Sequence, residues 1–286
     1  MSSLLETRLA VIGLGLMGGS LAAALSGRCA NVIGCDLDPQ AVQTALTRGW
    51  IHAGTQDPIV AVSQADMVVL ASPVRTILSL LDDLAPHFPP GCVILDLGST
   101  KTQITAKMEA LPASLQPIGG HPMCGKEFSG IQAADPLLYR GQTFILTPLA
   151  RTSHQALTLA SELVDALGAQ TLILTPQEND HLAALASHLP FLLSAGLVET
   201  VRQAAQQDSR LWRVTASGYR DTSRLAASSV TMMTDILLTN RDAVIQALSE
   251  FSENLNNLTE LIKSAQEDEL RDLLSAIHDS RKDWNR

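Results

Sequence analysis

The sequence predicts an α/β fold, a doubly wound and largely parallel sheet followed by an all-helical unit. Three observations carry this. Short apolar runs rich in β-branched residues alternate with helical patterns over the first 175 residues. The first run flows into glycines spaced G-x-G-x-x-G, Gly13-Leu14-Gly15-Leu16-Met17-Gly18, and a helical stretch follows them. After Pro176 no strand-like run returns and helical periodicity dominates. The expected division is 1–175 and 176–286, within the size range of two ordinary domains.

Taken in order, the expected strands are Leu9–Ile12, Val32–Asp36, Met67–Ala71, Val93–Leu97, Pro117–Gly119, Thr143–Thr147 and Thr171–Thr175. Most are bounded by Gly, Pro, Ser or Asp, residues that favour turns. Helical patterns fill the gaps at Gly19–Leu25, Pro39–Thr47, Val74–Leu84, Thr100–Ala110 and Ser153–Leu167. Thr147-Pro148 and Thr175-Pro176 should stop strand pairing, because proline has no N–H to donate. Beyond them, helices are expected over Asp180–Gln206, about Ser209–Ser217, Thr231–Leu238 and Asp242–Ile277. Pro190 should kink the first of these or split it. The last carries apolar residues at Leu255, Leu258, Leu261, Ile262, Leu270, Leu273, Leu274 and Ile277. So many apolar faces in a small unit predict burial against a second copy, with a self-contained bundle as the alternative.

The glycine spacing has a chemical reading. A strand, a glycine turn, a helix and a second strand ending in an acid, Asp36, form the Rossmann-type dinucleotide fingerprint. Gly13 permits the tight turn, Gly15 lets backbone approach a pyrophosphate, and Gly18 lets helix and strand pack closely. Asp36 can accept hydrogen bonds from both ribose hydroxyls and repel a 2′-phosphate, which favours NAD over NADP. The expected cofactor-binding residues are Gly13, Leu14, Gly15, Leu16, Met17, Gly18, Asp36 and Ser72. The alternative is a glycine-rich turn with no ligand.

Composition narrows the classes further. A net charge of −9 without long runs of one sign, and 3% aromatic residues, offer neither a basic face nor a stacking platform for nucleic acid. The opening residues carry no apolar signal core, and Leu182–Val198 is broken by Ser187, His188, Pro190 and Ser194, so no membrane span is expected. Cys29, Cys35, Cys92 and Cys124 lack metal-like spacing and read as reduced thiols of a cytoplasmic protein. No metal is expected.

Four polar clusters could carry chemistry. Asp96-Leu97-Gly98-Ser99-Thr100-Lys101 ends a strand, where ligands bind in such sheets, although Ser99 or Thr100 could simply cap the next helix. In Gly119-Gly120-His121-Pro122-Met123-Cys124-Gly125 a histidine beside glycines can accept a proton near neutral pH. Ser187-His188-Leu189-Pro190 puts a histidine at a proline kink, as a site residue or as a satisfied core histidine. In Ser217-Gly218-Tyr219-Arg220-Asp221-Thr222-Ser223-Arg224 two arginines can share a helix face and grip carboxylates, or Arg220 can pair with Asp221 at the surface.

In this order and at these intervals, the chain resembles the prephenate/arogenate dehydrogenases of tyrosine biosynthesis. The resemblance rests on Gly-Leu-Gly-Leu-Met-Gly-Gly-Ser at 13–20, Leu-Gly-Ser-Thr-Lys at 97–101, Gly-His-Pro-Met at 120–123, Ser-His-Leu-Pro at 187–190 and Gly-Tyr-Arg-Asp-Thr-Ser-Arg at 218–224. It implies a Rossmann-type domain, an all-helical C-terminal dimerisation domain, a homodimer, and an active site in the cleft between the two domains. It implies NAD-dependent oxidative decarboxylation, with His121 as the base and Ser99 beside it. His188, Arg220 and Arg224 are implied to bind substrate, Arg224 as the first choice for a carboxylate. Many relatives have lysine at the position of Arg220. Prephenate is the expected substrate and arogenate the alternative; Glu127 is a candidate contact for arogenate's ammonium, and Lys126 would disfavour it. A non-catalytic NAD sensor, or a hydroxyacid dehydrogenase acting without decarboxylation, is a further alternative. The chain ends at Arg286, so no fused mutase and no C-terminal regulatory domain is expected.

Overall fold

The computed structural model describes residues 3–126 and 128–284; Glu127 lies outside the described residues. Eight strands form one sheet, β1 Arg8–Ile12, β2 Asn31–Cys35, β3 Ala53–Thr55, β4 Met67–Leu70, β5 Val93–Asp96, β6 Gln116–Pro122, β7 Thr143–Pro148 and β8 Gln170–Ile173, in the order β3-β2-β1-β4-β5-β6-β7-β8. All pairings are parallel except β6 with β7. The order reverses between β1 and β4, the place where such sheets open a crevice at the carboxyl ends of their strands.

Alternation along the central strands explains the double winding. Leu9 and Val11 of β1, Met67 and Val69 of β4, and Val93 and Leu95 of β5 belong to one buried cluster. It is completed by residues of α1 Leu16–Leu25, α2 Pro39–Thr47 and α6 His154–Ala166. Ala10, Ile12, Val68, Leu70 and Ile94 belong to a second cluster. That one is completed by α3 Pro58–Val62, α4 Val74–Leu84 and α5 Thr102–Glu109. With both faces covered, the strands read as continuous apolar runs.

The pair β3 and α3 is absent from the sequence expectations because Ala-Gly-Thr is too short to alternate. Its helix is set locally instead, by the Asp57 carboxylate accepting from Ile59 N–H and by Pro58 in the first turn.

Beyond the sheet come α7 Pro176–Ala183, a π-helical turn Ala184–His188, α8 Leu189–Gln207, α9 Leu211–Val214, α10 Ser217–Ser223, a 3₁₀ turn Arg224–Ala227 and α11 Val230–Thr239. Thr175 caps α7 and Glu178 completes a capping box. Pro190 does not split the helix. Its missing N–H is absorbed by the widened turn before it, in which Leu189 N–H reaches back to Ala184 O. The run Pro176–Gln207 is 32 residues long with a mean hydropathy of 1.5 in its most apolar stretch, so it is long and apolar enough to cross a membrane by length and composition only, a test that the core helix of a soluble protein also passes. This corrects the expectation that no stretch is long enough; a proline inside a helix does not end it when a π turn accommodates it.

The chain forms two compact units, Met1–Arg241 and Asp242–Arg286. The second consists of most of α12 Arg241–Lys263 and of α13 Glu267–Asp283. The single helix expected over Asp242–Ile277 is interrupted, because Ala265 adopts φ 51° and Gln266 N–H bonds back to Leu261 O. That is a left-handed helix ending, made here without glycine.

Candidate active site

The glycine turn lies where β1 ends. Gly13 has φ 97°, and a side chain there would put a Cβ 2.5 Å from Ala71 O and 3.0 Å from Ser72 Oγ. At Gly18 a Cβ would lie 1.8 Å from Gly13 O, so helix and turn touch as the spacing predicts. A Cβ on Gly15, in contrast, would meet nothing within 4 Å. Gly15 is also the N-cap of α1, which has no capping side chain and no acid in its first turn. The N–H groups at Leu16, Met17 and Gly18 thus begin a helix that an anion would complete, and the site fits a dinucleotide pyrophosphate.

Asp36 stands just past β2 and is already engaged: Leu14 N–H donates to its Oδ2 at 2.7 Å and Asp38 N–H to its Oδ1 at 2.9 Å. Each carboxylate oxygen keeps a lone pair for a ribose hydroxyl. The Leu14 side chain is fully buried, so Leu14 serves the turn through its backbone and the core. Buried Tyr139 donates its hydroxyl to Met17 O at 2.7 Å, and Asp135 N–H donates to Ser20 Oγ at 2.8 Å. The segment after His121 is thereby fastened to α1.

A second set of polar groups gathers past β5 and β6. Asp96 and Lys101 are both fully buried and form an ion pair. Asp96 also accepts from Gly98 N–H at 2.7 Å and Gly120 N–H at 3.2 Å. Burial pushes the Asp96 carboxyl up and the Lys101 ammonium down, each opposed by the other's charge. Neither Ser99 nor Thr100 caps α5. The Asp180 carboxylate of α7 does so, accepting from Lys101 N–H at 2.6 Å and Thr102 N–H at 2.9 Å. A carboxylate at a helix N-terminus meets both the unpaired donors and the helix dipole. The Thr100 hydroxyl instead meets that of Thr239, 2.9 Å away.

His121 lies within β6 itself, two residues past the strand end expected at Gly119. β6 continues to Pro122 because β7 pairs with it past the point where β5 stops, opposing His121 to Ile145. The His121 Nδ1 lies 2.9 Å from Asn179 Oδ1. The amide nitrogen of Asn179 donates to Asp180 Oδ1 at 3.0 Å and to Ser99 O at 3.4 Å. His188 is 1% exposed; its Nδ1 lies 3.2 Å from Asn240 Nδ2, which also donates to Asp180 O at 2.7 Å. Burial, with the Lys101 charge second, lowers the His121 pKa to about 4. Burial likewise lowers that of His188 to about 4. Both rings are neutral at physiological pH.

Ser99, His121 and His188 are therefore joined through Asn179, Asp180 and Asn240. The sequence expectations contain none of these three linkers. Asn179-Asp180 reads as the polar first turn of a helix and Asn240 as a helix end, so only tertiary structure distinguishes them. Arg220 is exposed and 3.5 Å from Asp221 Oδ1, the surface pair weighed above. Arg224 opens the 3₁₀ turn, which is fastened to α8 by Ala226 N–H donating to Ser194 Oγ at 2.9 Å. Among the described residues, no hydrogen bond joins Arg220 to His121 or His188.

Comparison with known proteins agrees over nearly the whole chain. Residues 21–173 match the family model for the prephenate dehydrogenase nucleotide-binding domain, and residues 175–276 match that for its dimerization domain. A prephenate dehydrogenase of Bacillus subtilis is 33% identical over 86% of this chain and 67% of its own length. A cyclohexadienyl dehydrogenase of Zymomonas mobilis is 31% identical over 92% of this chain and 90% of its own. Among solved structures, prephenate dehydrogenase from Aquifex aeolicus with hydroxyphenyl propionate and NAD+ superposes with a TM-score of 0.92 at 31% identity, over 98% of this chain and 99% of that one. Synechocystis arogenate dehydrogenase gives 0.83 at 30% identity, over 96% and 99%. With both parts of the chain matched in sequence and in fold, this protein belongs to the prephenate dehydrogenase family of NAD-dependent oxidoreductases.

Proposed function

We propose that this chain converts prephenate to 4-hydroxyphenylpyruvate and carbon dioxide, with arogenate, giving tyrosine, as the alternative substrate. The observation that carries this reading is the buried pair of His121 and Asn179 at the sheet end, linked through Asp180 to His188. The relatives named prephenate, cyclohexadienyl and arogenate dehydrogenase support the substrate class.

The chemistry needs a base, carboxylate anchors and a hydride acceptor held in place. NAD, when bound at the glycine turn, supplies the hydride acceptor. His121 takes the proton of the ring hydroxyl as hydride leaves the carbon that bears it. The carboxylate on the opposite, quaternary ring carbon departs as carbon dioxide, its bonding pair enters the ring, the ring becomes aromatic with its oxygen as a phenolate, and the proton held by His121 returns to that oxygen to give the phenol. Ser99 hydrogen-bonds the same hydroxyl. His188 and Arg224 hold substrate oxygens, Arg224 as a fork-shaped partner for a carboxylate, with Arg220 contributing charge. Asp36 selects NAD over NADP.

The reading divides the chain at 1–175 for cofactor and 176–286 for substrate and dimerisation. A homodimer is supported by the match to a dimerization domain and by Leu255, Ile262, Leu274 and Ile277, which are about half exposed or more in the single chain. A cytoplasmic enzyme fits the four free cysteines, three of them buried, and the net charge of −9 with 3% aromatic residues fits a protein without nucleic-acid partners. Steady-state rates with prephenate and arogenate, each with NAD and NADP, test the proposal. Turnover of prephenate with NAD is expected to be fastest; no turnover of either substrate overturns it.

A further inference from the structure

The buried polar cluster around Asp180 contains two histidines and two asparagines, and its hydrogen bonds can be assigned atom by atom. The Asn179 amide nitrogen faces Ser99 O, a carbonyl oxygen that can only accept, and Asp180 Oδ1, which also accepts from Lys101 N–H at 2.6 Å. The amide orientation is thus fixed, and Asn179 Oδ1 is the atom 2.9 Å from His121 Nδ1. An amide oxygen can only accept, so His121 Nδ1 carries the proton. The lone pair of a neutral His121 then resides on Nε2.

The second pair is wired in the opposite sense. The Asn240 amide nitrogen donates to the carbonyl oxygen of Asp180 at 2.7 Å, which fixes that amide too. The same nitrogen lies 3.2 Å from His188 Nδ1, so this ring nitrogen must accept. The proton of His188 is therefore on Nε2. That atom is buried and has no hydrogen-bond partner among the described residues. A buried donor without an acceptor is costly, typically about 1–3 kcal/mol, and a ligand oxygen would relieve it.

We propose that Asn179 and Asn240, both anchored on Asp180, are positioning residues that hold His121 and His188 in opposite tautomers. His121 presents an acceptor at Nε2 and His188 a donor at Nε2. The value of such a device is clear from the reaction. Two identical imidazoles beside one substrate would otherwise each populate both tautomers, and only one combination has a base for the hydroxyl and a donor for an oxygen. The inference rests on the proposed function for that benefit, but the tautomers themselves do not depend on it. The groups facing the two rings are Lys101 from past β5, Asp180 and Asn179 from α7, and Asn240 after α11.

The test uses full-length protein with ring-¹⁵N histidine, without substrate, in long-range ¹H–¹⁵N spectra near pH 7.5. The His121 and His188 signals are assigned from their loss in His121→Asn and His188→Asn. His121 is expected to show the Nδ1–H pattern and His188 the Nε2–H pattern. The reverse pattern, or a mixture at either ring, overturns the proposal from wild-type protein alone. A single chemical change then separates positioning from mere packing. In Asn179→Asp the carboxylate still accepts from Nδ1–H, so the tautomer is kept while the acidic limb of kcat/KM moves upward. In Asn240→Asp the donor to His188 is lost, so His188 switches to Nδ1–H and KM rises roughly tenfold or more. Unmoved spectra and an unmoved pH limb in both variants would also sink the idea. Correct tautomers in a protein that turns over neither substrate would instead refute the proposed function and leave this inference standing.

Discussion

Leu14 N–H donates to Asp36 Oδ2 at 2.7 Å, so the acid that follows β2 is bolted to the glycine turn that follows β1. Asp36 is thus a structural part of the cofactor site as well as a candidate ribose ligand. Asp36→Ser cannot reproduce two carboxylate hydrogen bonds, each worth about 1.5–3 kcal/mol when the acceptor is charged. The variant is expected to lose NAD affinity and melting temperature together. Relaxed discrimination against NADP should follow, and become a preference only with an added arginine. Calorimetry and kcat/KM with both cofactors check this; an unchanged melting temperature contradicts the structural role.

His121→Asn should lower turnover by about 10²–10⁴-fold, the usual worth of a general base, with NAD binding intact. The low pKa of His121, about 4, places the acidic limb of kcat/KM well below an ordinary histidine's. Activity should fall as pH drops through that value, because protonation removes the base. A limb near 6.5 in the free enzyme would point to another group.

The same two rings should make stability pH-dependent. His121 and His188 bind protons less readily folded, with pKa about 4, than at the ordinary value of 6.5. The unfolded chain therefore binds more protons between those values, so their contribution is complete above about pH 6.5 and is lost as pH falls toward 4. Denaturant midpoints across this window should drop with acidity. The slope should be shallower in His121→Asn; an identical slope would show that this ring does not titrate differently on folding.

Arg224→Ala should raise the substrate KM by roughly tenfold to a hundredfold with little change in NAD affinity, as loss of a charged hydrogen-bonding partner implies. Arg220→Ala should do less, since its exposed partner Asp221 and the surrounding water screen it. Equal effects would make the two arginines joint ligands.

Ala265 takes a left-handed conformation at φ 51°, a position where glycine avoids the clash of a Cβ with the following carbonyl. Ala265→Gly should stabilise the Asp242–Arg286 unit by about 1 kcal/mol, read from chemical unfolding. A destabilised variant would show that this turn is not strained.

Much of the sheet was legible because buried parallel strands leave continuous apolar runs, and the glycine turn because close approaches at Gly13 and Gly18 exclude side chains while Gly15 leaves open space at the helix start. Ser99, His121 and His188 stood out by residue type beside Gly or Pro. What joins them did not. Asn179, Asp180 and Asn240 act across more than 50 residues of chain, and their partners exist only after folding. The end of β6 was misplaced for a related reason: its last three residues are held by β7, an antiparallel neighbour about 20 residues downstream. Ser99 and Thr100 looked like local caps, yet the cap of α5 comes from Asp180, a distant acid that local capping rules cannot name.

The widened turn ahead of Pro190 has an angular consequence. In a straight α-helix each residue advances by about 100°, so the eight steps from Asp180 to His188 would leave them about 80° out of phase. One π turn absorbs an extra residue, which makes those eight steps count as about seven, or close to two whole revolutions. Asp180 O and the His188 ring then come within reach of the same Asn240 nitrogen. The proline acts as a phase shifter. Removing one residue between Ala184 and His188, together with Pro190→Ala, should preserve this alignment in an ordinary helix, whereas either change alone would rotate His188 away from Asn240.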